Sequence, residues 1–135
     1  MSILIIDDEE IILQTLSAIF KREGIEADVE SNPVTALKRY EQNRYNVALV
    51  DILMPEMKGA EVIKAIKAIN PLCNIIVMTA FSKMAYVVEC IEAGAVDYLT
   101  KPFADISLLL NIIRSALERV DRWKMSFGLN IKKSA

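Results

Sequence analysis

Unbroken apolar runs recur along this chain, and each ends on a polar residue. Ile3-Leu4-Ile5-Ile6 leads into Asp7-Asp8, and Val47-Ala48-Leu49-Val50 into Asp51. Ile75-Ile76-Val77-Met78 leads into Thr79, and Tyr98-Leu99-Thr100 into Lys101-Pro102. Short continuous runs, as opposed to alternating ones, read as strands buried on both faces of a parallel sheet. They predict strands over 2–7, 46–50, 73–78 and 96–100, with a half-polar edge strand at 26–30.

Helical spacing fills the intervals. Over 9–22, Ile12, Leu16, Ile19 and Phe20 share one face, and Gly24 supplies a stop. Asn32-Pro33 pairs a capping side chain with proline at the first helical position, opening a helix to about Gln42. Beyond Gly59, Val62, Ile63, Ile66 and Ile69 mark a helix closed by Asn70-Pro71. Two more follow, over 83–92 before Gly94 and over 105–122. Strands alternating with helices of this length imply right-handed crossovers and helices on both sheet faces. The expected fold is a single doubly wound α/β domain over 1–122, with 123–135 a tail, a helix extension or the start of a linker.

In an open sheet of this kind, ligands bind beyond the carboxyl ends of the strands. Asp7, Asp8, Asp51, Thr79 and Lys101 are therefore expected to meet at one edge, a site for a divalent cation and a phosphoryl group.

Composition narrows the alternatives. At 135 residues, one domain with one core is expected. Sixteen basic against 18 acidic residues, net −2, argue against a dedicated nucleic-acid binder. No apolar run approaches the ~18 residues of a membrane span. The opening Met1-Ser2-Ile3-Leu4 runs straight into a strand without the charged start of a secretory signal, so a cytoplasmic location is expected. Cys73 and Cys90 lack CxxC spacing and read as small apolar fillers in a reducing compartment. The absence of histidine excludes His-based zinc sites, Ser-His-Asp hydrolysis and a phosphohistidine carrier.

Each site residue has a plainer reading beside the chemical one. Asp7-Asp8-Glu9-Glu10 at a helix start complements the helix dipole, which accounts well for Glu9 and Glu10. Two adjacent carboxylates directly after a buried strand repel each other, and a cation such as Mg2+ would offset that repulsion. Asp51 is either a turn former or a phosphoryl acceptor. Phosphoryl transfer depends mostly on positioning and charge neutralisation, and Asp7, Asp8 and Lys101 provide metal ligands and a cation. Thr79 is an ordinary strand-end threonine or a hydroxyl that moves to meet a phosphoryl oxygen. Lys101-Pro102 is a bond type that is sometimes cis, a turn that would aim the lysine back over the sheet edge.

Taken together, Asp7-Asp8, Asp51 with Met54-Pro55 and Gly59, Thr79-Ala80 and Tyr98-Leu99-Thr100-Lys101-Pro102-Phe103 resemble response-regulator receiver domains of two-component signalling. The resemblance covers about residues 2–121, with the motifs in order. It implies a chemotaxis- or flavodoxin-like five-stranded sheet in the order 2-1-3-4-5. Asp51 matches the phosphoacceptor, and Asp8 the carboxylate that binds Mg2+ (or Mn2+) directly. Asp7 matches its neighbour acting through water, and the backbone carbonyl of Leu53 a further metal ligand. Backbone groups of Ile52, Leu53 and Ala80 would contact the phosphoryl group. Lys101 corresponds to the lysine that pairs with a phosphoryl oxygen, Thr79 to the switch hydroxyl, and Tyr98 to the aromatic that turns inward with it. The implied partners are a sensor histidine kinase or phosphotransfer protein. The implied response is a reshaped surface over helix 83–92, strand 96–100 and helix 105–122.

Two features are particular to this chain. Leu53 and Phe81 occupy positions that flank the path of hydrolytic water in receivers, and both are apolar, which predicts a phosphoryl group lasting hours. In the last helix, Ile106, Leu109, Ile113, Leu117 and Val120 suit a core face. Leu108, Ile112 and Ala116 form a second stripe which, with Val87, Val88 and Ile91, predicts a face for a homodimer or an output domain. Two other classes fit part of the pattern: a phosphorylation-independent interaction module, and an aspartyl-phosphate phosphatase. Phosphatases of the haloacid-dehalogenase type usually carry a second aspartate two residues after the nucleophile, where this chain has Leu53.

Overall fold

The central strands are apolar throughout because both of their faces are covered. The computed structural model describes residues 3–80 and 83–128. Its strands are β1 (Ile3–Ile6), β2 (Ala27–Glu30), β3 (Val47–Asp51), β4 (Asn74–Thr79) and β5 (Asp97–Thr100). The helices are α1 (Glu10–Arg22), α2 (Pro33–Asn43), α3 (Gly59–Ile69), α4 (Met84–Ala93) and α5 (Ile106–Ser126). All pairings are parallel, in the order β2-β1-β3-β4-β5. Every residue of β1, β3 and β4 is buried, whereas β2 and β5, at the edges, are not.

Successive strand residues point to opposite sheet faces, and the core divides accordingly. Leu4, Ile6, Ala48, Val50, Ile75 and Val77 pack against α2, α3 and α4. Ile3, Ile5, Val47, Leu49, Ile76 and Met78 pack against α1 and α5. Asn32 caps α2 as expected, its Oδ1 accepting from the N–H groups of Val34 (2.8 Å) and Thr35 (3.2 Å). Asp105 does the same for α5 through the Leu108 N–H at 3.0 Å.

Helix α5 takes up the first residues of the tail as a helix extension, one of the expected alternatives. It runs on past 122 to Ser126, with Arg119 donating to Asn74 Oδ1 and Lys124 to Asn46 Oδ1, both at 2.6 Å. Of the residues expected in the core, Leu109, Ile113 and Val120 are buried and Leu117 packs partly against it. Leu109, Leu110, Ile113, Ala116 and Val120 are buried, while Ile106, expected in the core, is exposed. Ala116, expected on a partner face, is only 1% exposed, and Ile112 packs partly against the core. On α4, Val87 is likewise buried in the core. Ala116 lies three and four residues from Ile113 and Val120 and so shares their buried stripe, whereas Ile106 is the first residue of α5, ahead of the helix's first core contact at Leu109. Leu108, Val88 and Ile91 remain exposed.

Candidate phosphoacceptor site

Strand register brings the polar strand ends together. Ile6 lies beside Val50, which puts Asp7 level with Asp51. Asp51 lies beside Met78, so Thr79 stands one residue further on, and Thr79 pairs with Thr100 just before Lys101. Backbone bonds carry the ladder beyond the strands, from Ile52 N–H to the Met78 carbonyl (3.2 Å) and from Lys101 N–H to the Thr79 carbonyl (2.8 Å). The Lys101–Pro102 peptide is cis.

The resulting cavity, about 250 Å3, is lined by Asp8, Glu9, Asp51, Ile52, Leu53, Thr79, Ala80 and Lys101. Asp51 is 7% exposed at its floor. Asp7 lies fully buried and does not line the cavity, whereas Asp8 opens to solvent. One carboxylate oxygen from each of Asp7, Asp8 and Asp51 falls within 4.8 Å of the others. Lys101 Nζ sits 2.6 Å from Asp7 Oδ2 and 3.5 Å from Asp51 Oδ1. Asp7 Oδ1 accepts the Glu9 N–H at 2.9 Å, but Oδ2, despite the close ion pair, receives no aligned hydrogen bond.

These neighbours set the charge states. Burial, followed by the adjacent Asp7 charge, pushes the Asp51 carboxyl up to about 7, against the opposing pull of Lys101. Burial alone would lower the Lys101 ammonium. Its close contact with Asp7 and the charges of Asp51 and Asp7 outweigh that and hold it above its ordinary value.

Gly59 fixes the loop after the acceptor. Its N–H donates to the Ile52 carbonyl at 2.8 Å, and a Cβ there would stand 2.6 Å from the Asp51 carbonyl oxygen. Glycine is needed for close approach of α3 to the acceptor's own backbone.

Of the remaining expected residues, Thr79 is buried against the cavity and Leu53 is half exposed at its rim. Tyr98 is half exposed and does not line the cavity. Phe81 lies outside the described residues. Glu9, which the sequence accounts for only through the helix dipole, also contacts Lys101, Oε1 to Nζ at 3.1 Å. Its place directly after the acid pair was the available signal.

Similarity to known proteins places the fold in a family. The family model of the response regulator receiver domain matches residues 3–114. Chemotaxis protein CheY of Thermotoga maritima is 38% identical over 102 residues, 75% of this chain and 85% of that protein. A cyclic di-GMP phosphodiesterase of the same organism is 34% identical over 134 residues, 98% of this chain but 36% of that protein. The chain spans between about a quarter and a third of the length of several such curated relatives. The solution structure of the beryllofluoride-activated NtrC4 receiver domain dimer superposes with a TM-score of 0.82 at 33% identity, covering 88% of this chain and 98% of that one. No helix among the described residues is long and apolar enough to cross a membrane. With a family model matched over most of its length and a chemotaxis protein 38% identical over three-quarters of it, this chain belongs to the response regulator receiver domain family.

Proposed function

We propose that Asp51 accepts a phosphoryl group from a phosphohistidine on a sensor kinase or phosphotransfer protein, and that the modified domain acts as a signalling switch. One observation carries this reading: the Asp51 carboxylate lies at the floor of an open cavity, grouped with Asp7 and Asp8 and 3.5 Å from Lys101. The donor set also fits a hard divalent cation, Mg2+ or Mn2+. It consists of carboxylate oxygens, it is more anionic than Lys101 alone balances, and Asp7 Oδ2 has no aligned hydrogen bond. Asp8, Asp7, Asp51 and the Leu53 carbonyl would hold the ion. Once bound, it would neutralise charge on the acceptor and the phosphoryl oxygens.

The chain's own groups do the rest. An Asp51 oxygen forms the new O–P bond as the P–N bond breaks, and the imidazole leaves with that bond's electron pair and takes a proton from solvent. Lys101 pairs with one phosphoryl oxygen and the Thr79 hydroxyl donates to another, with the backbone N–H groups of Leu53 and Ala80 around them; that of Ile52, expected to contribute, is engaged by the Met78 carbonyl. Movement of Thr79 opens room for Tyr98 to turn inward. That changes the surface of α4, β5 and α5, where Val88, Ile91 and Leu108 are exposed for a second copy or an output domain.

Intact mass after incubation with Mg2+ and acetyl phosphate, or with a phosphorylated histidine kinase, tests the proposal. One added phosphoryl group is expected, dependent on Mg2+ and lost in Asp51→Asn. Addition that persists in Asp51→Asn, or none from either donor, would overturn it.

A further inference from the structure

The cavity contains one carboxylate for which phosphoryl transfer to Asp51 supplies no role. Glu9 reaches in from the start of α1 and places Oε1 3.1 Å from Lys101 Nζ. An ammonium has three N–H donors. Here three carboxylates surround it, Asp7 at 2.6 Å, Glu9 at 3.1 Å and Asp51 at 3.5 Å. Of the three, Glu9 is the one that accepts an aligned hydrogen bond from Nζ, so a phosphoryl oxygen arriving on Asp51 competes with Glu9 for the ammonium. Asp7 is fully buried and held through its other oxygen by the Glu9 N–H, and Asp51 is bonded to the incoming group. The Glu9 side chain is 54% exposed, the condition in which an ion pair is weakest and the carboxylate regains water on leaving.

Resting on the phosphoacceptor reading of Asp51, we infer that Glu9 is a positioning residue that holds Lys101 before phosphorylation and yields it to the phosphoryl oxygen afterwards. Its charge acts with opposite sign on the two halves of the chemistry. Beside Asp7, Asp8 and Asp51 it strengthens attraction for a divalent cation. Toward an anionic phosphoryl donor it is repulsive, and it occupies the donor's counter-charge. Glu10 is the internal control, since it carries the same charge one residue on. It faces a separate groove beside Val29 and has no contact with Lys101 among the described residues.

The test uses the full chain and two readouts, the Mg2+ dissociation constant by calorimetry and the rate of phosphorylation by acetyl phosphate at saturating Mg2+. In Glu9→Gln, Mg2+ binding should weaken and phosphorylation should accelerate, each by about two- to fivefold, the size of one exposed ion pair. Glu9→Asp, which keeps the charge but shortens the reach, should gain the faster rate while holding Mg2+ normally. Glu10→Gln should change the rate by less than Glu9→Gln does. A purely structural role would weaken binding and slow the reaction together. An unchanged or slower rate in Glu9→Gln, or an equal gain in Glu10→Gln, would overturn the inference while leaving a phosphorylated wild type intact. A wild type that takes no phosphoryl group from acetyl phosphate or a phosphorylated kinase would instead remove the Asp51 reading, and this inference with it.

Discussion

Replacing Asp51 by asparagine should stabilise the fold, and the size of the effect should depend on pH. The carboxyl ionises near 3.8 when free, but burial and the neighbouring Asp7 raise it to about 7 in the folded chain. A raised carboxyl favours the folded state in its protonated form. That contribution is complete below about 3.8 and is lost as pH climbs to about 7. At about 1.36 kcal/mol per pH unit, the interval corresponds to about 4 kcal/mol as a ceiling. Asparagine resembles the protonated acid and carries no such cost. It also takes a charge partner from Lys101, which retains Asp7 and Glu9, and local relaxation softens the penalty further. A net gain of about 1–3 kcal/mol above neutral pH is expected. Urea unfolding of both proteins without divalent cation, from about pH 4 to pH 8, measures it. The curves should nearly coincide at the acid end, diverge through the interval and run parallel above it. Saturating Mg2+ should narrow the gap. Equal stabilities across the range, or a less stable Asp51→Asn at high pH, would refute the electrostatic account of the site.

Other perturbations have equally definite outcomes. Gly59→Ala gains up to about 1 kcal/mol of helix propensity but drives a Cβ to 2.6 Å from the Asp51 carbonyl oxygen. Overpacking of that kind costs about 1–3 kcal/mol, so the variant should unfold at lower urea and accept phosphoryl groups more slowly. Tyr40→Phe removes a fully buried hydroxyl that donates to the Tyr45 carbonyl at 2.6 Å and accepts from Asn70 at 3.2 Å. Leaving that carbonyl without its donor should cost about 1–3 kcal/mol, measurable as a lower denaturation midpoint with an unchanged slope. Leu53 is an apolar side chain at the rim of the cavity. The aspartyl phosphate should last hours, and Leu53→Asn, which can orient a water, should shorten it several-fold when the decay is followed by mass. A wild-type half-life near a minute would contradict this.

Strand identity and the polar strand ends were legible in the sequence because both are local. A run such as Val47-Ala48-Leu49-Val50 has no polar face to offer water, so it must lie between two layers, and the residue ending it must lie at the sheet edge. Asp7, Asp8, Asp51, Thr79 and Lys101 could be placed on that argument alone. What tertiary packing decided is orientation. That Ala116 is buried and Ile106 is not depends on where along its length α5 meets the sheet, since both lie on an apolar helix and spacing alone does not settle it. The reach of Glu9 to Lys101 spans 92 residues of sequence and depends on strand register together with the start of α1. The need for glycine at position 59 arises because α3 begins against the backbone of Asp51. Periodicity tells which residues avoid water, but angstrom-scale distances between elements follow from how all of them pack at once.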